Sequence, residues 1–294
     1  MHIMDDMIMT VEEMMREARG KLAAEYGARE AAAMVDEMML RIKGWDKTAT
    51  IIHGNETVTD FLKGRVDATV GQLLKGEPIQ YIFGKAHFYG MDFNVTPATL
   101  IPRPETAQLV DMIVDRYGND SDLRVLDLGT GSGCIAIALA RHLPFPKEVT
   151  AVDISEEAIE VARSNSAGLK VKVNFIQGNM LDTDEMVAAL GERYDIIVSN
   201  PPYIAQREAA GMERNVLEHE PATALFVPDD DPLVFYRAIA VIAEKRLDDK
   251  GTLFLEINPL FAKELAAMLR EHGFQDVDIE KDMQKADRFI IARR

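Results

Sequence analysis

Four consecutive residues, Asn200-Pro201-Pro202-Tyr203, have the types and spacing to hold a planar –NH2 group. Adjacent prolines stiffen the backbone and remove two N–H donors, which leaves the carbonyls before and between them free to accept from outside the chain. Asn200 adds a side-chain acceptor and Tyr203 adds a flat ring. Two acceptors for two amino protons, with a ring against the face, suit a site that methylates an amide or an exocyclic amine. Taken alone, the run also reads as a Pro-Pro turn, because prolines are ordinary loop punctuation.

A second constellation is the run VLDLGTGSG at 125–133. Glycines let a backbone turn sharply against a ligand, and a following helix N-terminus offers free N–H groups. A dinucleotide fingerprint spaces its glycines as G-x-G-x-x-G. Here Gly129, Gly131 and Gly133 alternate, with Thr130 and Ser132 between them, and Cys134 stands where the third glycine would fall. Asp127 sets a carboxylate beside the loop, which would repel a pyrophosphate but suits the amino and sulfonium charges of S-adenosylmethionine. Asp153, ending the next strand, is placed to accept from ribose hydroxyls.

Other chemistry is weaker. The six histidines show no i,i+4 pair and no cysteine partner, so no zinc site is supported. Glu218-His219-Glu220 reads as surface or a local hydrogen-bond network, and Cys134, without a basic neighbour, as small packing. No serine stands in a G-x-S-x-G elbow.

The elements that must position these residues follow from periodicity. Thr10 and Glu13 form a capping box that opens a helix to about Tyr26, with Gly27 as its stop. Further helices are expected at 29–42, 48–52 and 59–74, making the start of the chain a small helical bundle. Alternating segments at 87–89 and 92–95 flank Gly90-Met91, and glycine at the first central position suits a type II′ hairpin. A helix at 107–117 follows. Strands at 123–128, 148–153, 171–177, 194–199 and 251–257 then alternate with helices near 133–142, 155–166, 183–190, 231–246 and 260–272, before a closing pair at 274–280 and 287–293. This alternation predicts an α/β fold with a mostly parallel sheet covered on both faces. The expected domains are a helical substrate-recognition domain at 1–85, a linking hairpin at 86–100 and a methyltransferase domain at 101–294.

Composition bounds the partners. The chain of 294 residues carries a net charge of −16, with 33 basic and 49 acidic side chains. Residues 1–85 hold 11 basic and 14 acidic side chains, so −13 falls on residues 86–294. Such a balance counts against a duplex-binding surface and is compatible with a basic protein partner. No apolar run approaches the roughly 20 residues of a membrane span. The acidic start lacks the positive charge of an export signal. A single cysteine demands no oxidising compartment, so the cytoplasm is expected.

On these residues the chain resembles the bacterial protein-(glutamine-N5) methyltransferases that modify peptide-chain release factors. The likeness runs nearly end to end: G-x-P-x-x-Y-I-x-G at 76–84, F-x-G-x-x-F-x-V at 88–95, IPRPET at 101–106, the glycine loop, Asp153 and the run at 200–203. The stretch at 76–106 separates this family from adenine methyltransferases, which also use Asn-Pro-Pro-Tyr for N6 amines. The resemblance implies a Rossmann-like S-adenosylmethionine-dependent methyltransferase domain with a seven-stranded sheet, joined by a β-hairpin to the helical bundle. Cofactor contacts would come from Asp127, Gly129, Thr130, Gly131, Ser132, Gly133, Asp153, Asn179, Met180 and Asn200. The substrate amide would be held by Asn200, Pro201, Pro202 and Tyr203, with Asn200, Pro201 and Tyr203 catalytic and no metal. The partner would be a class I release factor at its Gly-Gly-Gln loop, with S-adenosylhomocysteine as product and neither nucleic acid nor membrane bound. The pattern departs at Ala107, where the family often has Glu, at Asn179-Met180, and at Pro232, where a glycine is common.

Overall fold

The computed structural model describes residues 9–294; His2 and the sequence reading of the first eight residues fall outside them. The chain divides into two compact units. One is the chain up to Phe83 with Arg214–His219, the other Gly84–Glu213 with Glu220–Arg294.

The first unit is helical. α1 (Val11–Lys43) opens on the capping box, in which Thr10 Oγ1 accepts from Glu13 N at 3.3 Å and Glu13 Oε2 accepts from Thr10 N at 2.9 Å. Gly27, at φ 77° and ψ 158°, breaks it into the two expected helices with a positive-φ kink that suits glycine. α2 (Lys47–Ile52), α3 (Asp60–Leu73) and α4 (Ile79–Phe83) complete the bundle, and Met14, Met15, Met38 and Met39 are buried within it. Unbranched methionine fills irregular gaps between helices of uneven spacing.

The second unit begins with the hairpin β1 (Lys85–Phe88) and β2 (Met91–Asn94). Its loop is Tyr89-Gly90, since Phe88 pairs with Met91, and both loop residues have positive φ, 48° and 74°. That is a type I′ turn, not the expected II′, because the central pair sits one residue earlier than the glycine suggested. α5 (Pro104–Tyr117) follows, with proline at its first position, where the missing N–H costs nothing.

Seven strands then form one sheet: β3 (Arg124–Leu128), β4 (Glu148–Asp153), β5 (Asn174–Gln177), β6 (Tyr194–Ser199), β9 (Leu247–Glu256), β10 (Asp276–Lys281) and β11 (Asp287–Arg293). Between β6 and β9 lie two short strands, β7 (Ile204–Ala205) and β8 (Phe226–Val227), paired with each other. The sheet order is β10-β11-β9-β6-β3-β4-β5, parallel from β9 to β5 and antiparallel at β11 and β10. Apolar runs in β3, β6 and β9 are buried because helices cover both faces. α6 (Cys134–His142) belongs to one core, while α8 (Thr183–Leu190), α11 (Val234–Arg246) and α12 (Ala262–Glu271) line the other; α7 (Glu156–Gly168) follows β4. The short helices α9 (Arg214–His219) and α10 (Ala222–Leu225) lie between β7 and β8. The chain builds outward from β3 to β5 and then returns to β6 on the other side. The carboxyl ends of β3 and β6 therefore form the switch point, where open α/β sheets bind ligands.

Candidate active site

Both sequence constellations meet at that switch point. The glycine loop leaves the end of β3, and Asn200 follows the end of β6, whose Ser199 Oγ donates to the Leu128 carbonyl at 2.6 Å. Gly129, Gly131 and Gly133 all hold positive φ, 79°, 55° and 81°. At Gly133 a Cβ would also stand 3.0 Å from Ile137 Cδ1 and 3.1 Å from Ala162 Cβ, so a side chain there would be strained by its φ and would press both neighbours aside. Asp153 ties the loop down, accepting from Gly131 N at 2.8 Å on one oxygen and from Ser155 N at 3.0 Å on the other. Burial holds its carboxyl above the ordinary range, opposed by those backbone donors.

A cavity of about 340 Å³ opens beside this loop, within the size of small-molecule sites. Of the expected residues, Gly129, Gly131, Asp153, Asn179, Met180 and Pro202 line it. Asn179 reaches it with a committed side chain, since Oδ1 accepts from Leu181 N and Nδ2 donates to Asp182 Oδ2, both at 3.0 Å. Ile154 and Leu181, both exposed, form apolar rims. Leu100, Phe226 and Phe235 also line the wall, and nothing in the sequence pattern drew attention to them. Leu100 and Phe226 stand in a loop and a two-residue strand that periodicity does not register, while Phe235 stands in the first turn of α11, whose period points to packing and not to a cavity.

Asp127 sits beneath the loop, fully buried, and does not line the cavity. Its Oδ2 accepts from Thr130 Oγ1 at 2.6 Å and from Ala136 N at 3.2 Å, so the carboxylate organises the loop and the start of α6. Its Oδ1 is buried with no partner. Burial pushes the carboxyl up to about 7, with the nearby Asp153 adding to the rise. An orphaned buried acceptor beside a glycine loop fits a ligand carrying an ammonium or sulfonium charge. Thr130 and Ser132 are likewise buried, and the Ser132 carbonyl accepts from Asn165 Nδ2 at 2.9 Å. Asn165 also exchanges hydrogen bonds with the backbone of Asn94, which ties the hairpin to the loop.

At the end of β6, Pro201 is buried, while Asn200, Pro202 and Tyr203 are half-buried. Asn200 Nδ2 donates to Thr106 Oγ1 at 3.1 Å. Among the described residues, nothing donates to the Pro201 carbonyl. The Tyr203 hydroxyl donates to Glu256 Oε1 at 3.1 Å, and its carbonyl accepts from Asn258 Nδ2 at 3.1 Å. Burial, then the Glu256 charge, pushes the Tyr203 phenol well above its usual value, so it stays protonated and is no base. The triplet Glu218-His219-Glu220, expected as surface or a local hydrogen-bond network, divides into separate roles. Glu218 pairs with Arg214, and buried Glu220 accepts from Ile101 N at 3.1 Å and pairs with Arg103. Cys134 is buried, and that burial pushes its thiol up to about 12, far from a thiolate nucleophile. Thr106 ends the run at 101–106 but carries no role from sequence alone, and Glu256 escaped the sequence reading, although a lone acid ending the apolar run TLFLE was a signal.

Comparison with known proteins follows the geometry. Residues 119–288 match the methyltransferase domain family, and residues 13–84 match the PrmC N-terminal domain. The release factor glutamine methyltransferase of Bacteroides thetaiotaomicron is 46% identical over 245 residues, spanning 83% of this chain and 86% of that protein. That of Bacillus subtilis is 36% identical over 277 residues, spanning 91% and 92%. Among solved structures, the hMettl16 catalytic domain, crystallised with a 3′UTR hairpin, is similar with a TM-score of 0.53 at 17% identity, over 70% of this chain and 76% of that one. A Thermus thermophilus 16S rRNA methyltransferase solved with AdoMet and guanosine gives 0.51 at 23%, over 71% and 49%. At such identities the likeness shows the fold alone.

Proposed function

This chain belongs to the release factor glutamine methyltransferases, and on that premise we propose how its residues do the work. The enzyme transfers a methyl group from S-adenosylmethionine to the glutamine side chain of a release factor. The acceptor is the amide nitrogen of the Gly-Gly-Gln loop in class I factors, and the second product is S-adenosylhomocysteine. The reaction takes place in the cytoplasm and involves no nucleic acid; among the described residues no helix is long and apolar enough to cross a membrane.

The observation that carries the reading is the state of Asn200. Its Nδ2 is committed to Thr106, which leaves Oδ1 and the neighbouring Pro201 carbonyl as two acceptors without donors among the described residues. A glutamine amide brings two N–H donors and a lone pair delocalised into its carbonyl. Holding both protons turns the amide plane so that nitrogen faces the donor, and such orientation can replace several kcal/mol of the barrier, up to about 7–11. Tyr203 packs the plane and, being protonated, takes no proton from it; the excess proton leaves the N-methylated amide for solvent after transfer, when that amide is strongly acidic. The donor supplies an activated methyl group on a positive sulfur.

Asp153 keeps lone pairs for ribose hydroxyls beyond its two backbone donors. Gly129 and Gly131 would bring bare backbone to the ligand, and Asp127, buried beneath the loop, would hold that loop in shape through Thr130 and Ala136. Thr130, Ser132 and Gly133 support that loop. Met180, with Asn179, flanks the adenine through its apolar side chain, because the Asn179 side chain is tied into its own turn. The helical unit recognises the release factor.

One tube tests this: labelled methyl donor, purified release factor, its Gln→Ala variant, genomic DNA and total RNA. Label should enter the wild-type factor alone, on the loop glutamine by mass spectrometry. Label on nucleic acid, or equal label on the Gln→Ala factor, would overturn the reading.

A further inference from the structure

Beneath the Asn-Pro-Pro-Tyr run lies a chain of polar side chains drawn from separate elements. Glu256 ends β9, Thr106 stands in the first turn of α5, and Asn200 and Tyr203 follow β6. Thr106 Oγ1 donates to Glu256 Oε2 at 2.7 Å, and Tyr203 donates to Oε1 at 3.1 Å. Asn200 Nδ2 then donates to Thr106 Oγ1 at 3.1 Å. Glu256 and Thr106 are both buried, and the Tyr236 hydroxyl pins the Glu256 carbonyl at 3.0 Å.

The direction of this chain is set by its last member. Burial raises the Glu256 carboxyl, but the Thr106 and Tyr203 hydroxyls donate to its two oxygens and favour the carboxylate; accepting on both, it takes the one proton of Thr106. With that proton committed, Thr106 Oγ1 can only accept from Asn200. Asn200 must therefore turn its –NH2 toward Thr106 and its Oδ1 to the other side. A carboxamide has nearly the same shape in its two flips, so packing alone discriminates poorly between them. Their chemistry is opposite: one flip offers an acceptor to the substrate amide, and the other offers donors that face the amide's own protons.

We infer that Thr106 and Glu256 are positioning residues for methyl transfer, fixing the flip of Asn200 without touching substrate or cofactor. The inference rests on the role of Asn200 given above. It places their effect in the chemical step, where orientation of the amide matters, and not in binding of either substrate.

The test uses the full chain and purified release factor. Thr106→Val keeps the shape and deletes the hydroxyl, while Thr106→Ser keeps the hydroxyl. Thr106→Val should lower kcat at least about tenfold, with the KM for release factor and the calorimetric affinity for the methyl donor each within about threefold of wild type. Thr106→Ser should restore kcat to within about threefold. Glu256→Met, close in size and without a strong acceptor, should also lower kcat without moving KM, and it carries the test if Thr106→Val does not fold. Wild-type kcat in Thr106→Val or Glu256→Met, a serine variant as slow as valine, or a loss confined to KM would overturn the inference. An inactive Asn200→Ala beside a fully active Thr106→Val would sink this inference alone, whereas a fully active Asn200→Ala would sink the reading of the site itself.

Discussion

Asn200 and Asp127 carry opposite kinds of argument at the residue scale. Asn200 is half-buried on a loop, with one end of its amide used and the other open, so its truncation deletes function with little packing. Asn200→Ala is expected to cut turnover more than about tenfold, a loss above ~1.4 kcal/mol, with an unchanged unfolding midpoint. A variant keeping most of its turnover would show that another group orients the amide. Tyr203→Ala should lose less, and Tyr203→Phe less again, since the hydroxyl serves Glu256 and not the substrate. Asp127 is a stability statement instead. Burial pushes it up to about 7, so the folded chain holds a proton that the unfolded chain has already released. Its contribution is therefore full below the ordinary carboxylate range and is lost as pH rises through about 7. Asp127→Asn should flatten that decline in urea unfolding of the ligand-free protein. Parallel pH profiles for both proteins would refute the assignment.

Among elements, the ones read correctly share a strong physical cause. β4, β6 and α8 fall where the sequence places them, because apolar runs and clean 3.6-residue periodicity bound them. β5 is shorter than the expected 171–177, since Val171 and Val173 are apolar without joining the ladder, which pairs only Asn174 to Gln177. The stretch from Ile204 to Val227 was not legible: its two-residue strands and short helices carry too few residues for any period. That stretch nevertheless supplies Phe226 to the cavity, as long-range pairing of β7 with β8 sets it there. The glycine loop was legible because positive φ demands glycine. Gly133→Ala should therefore cost about 1–3 kcal/mol, from strained φ together with contacts near 3.0 Å to Ile137 and Ala162. It should weaken methyl-donor binding as well. Gly20, inside α1 with nothing within 4 Å of a new Cβ, is the control. Gly20→Ala should stabilise by about 0.4–1 kcal/mol. Equal denaturation midpoints for the two variants would contradict the packing argument.

For the whole molecule, charge separates the two units, while both expose large apolar side chains, Phe145 and Met283 in one and Ile51, Ile52 and Phe61 in the other. The −13 balance of residues 86–294 disfavours a phosphate backbone, whereas the helical part is nearly neutral. The helical unit contains no chemical motif, yet it leaves Ile51, Ile52 and Phe61 more than 70% exposed, at 79%, 72% and 75%. Large apolar side chains so exposed are a mark of a protein contact when several occur together. On the function proposed above, their partner would be the release factor. A glutamine amide alone offers little binding energy, and contacts remote from the reacting atoms are what hold a weak nucleophile in place. Ile51→Asp with Phe61→Asp should raise the KM for release factor by about tenfold or more, the loss of one or two buried anchors. The affinity for S-adenosylmethionine should stay unchanged, because every residue assigned to the cofactor lies in the other unit. A short peptide carrying the glutamine should be methylated by wild type and variant at the same slow rate. An unchanged KM for the full factor would place recognition elsewhere, and an equal loss on the peptide would mean that the substitutions had damaged the catalytic unit itself.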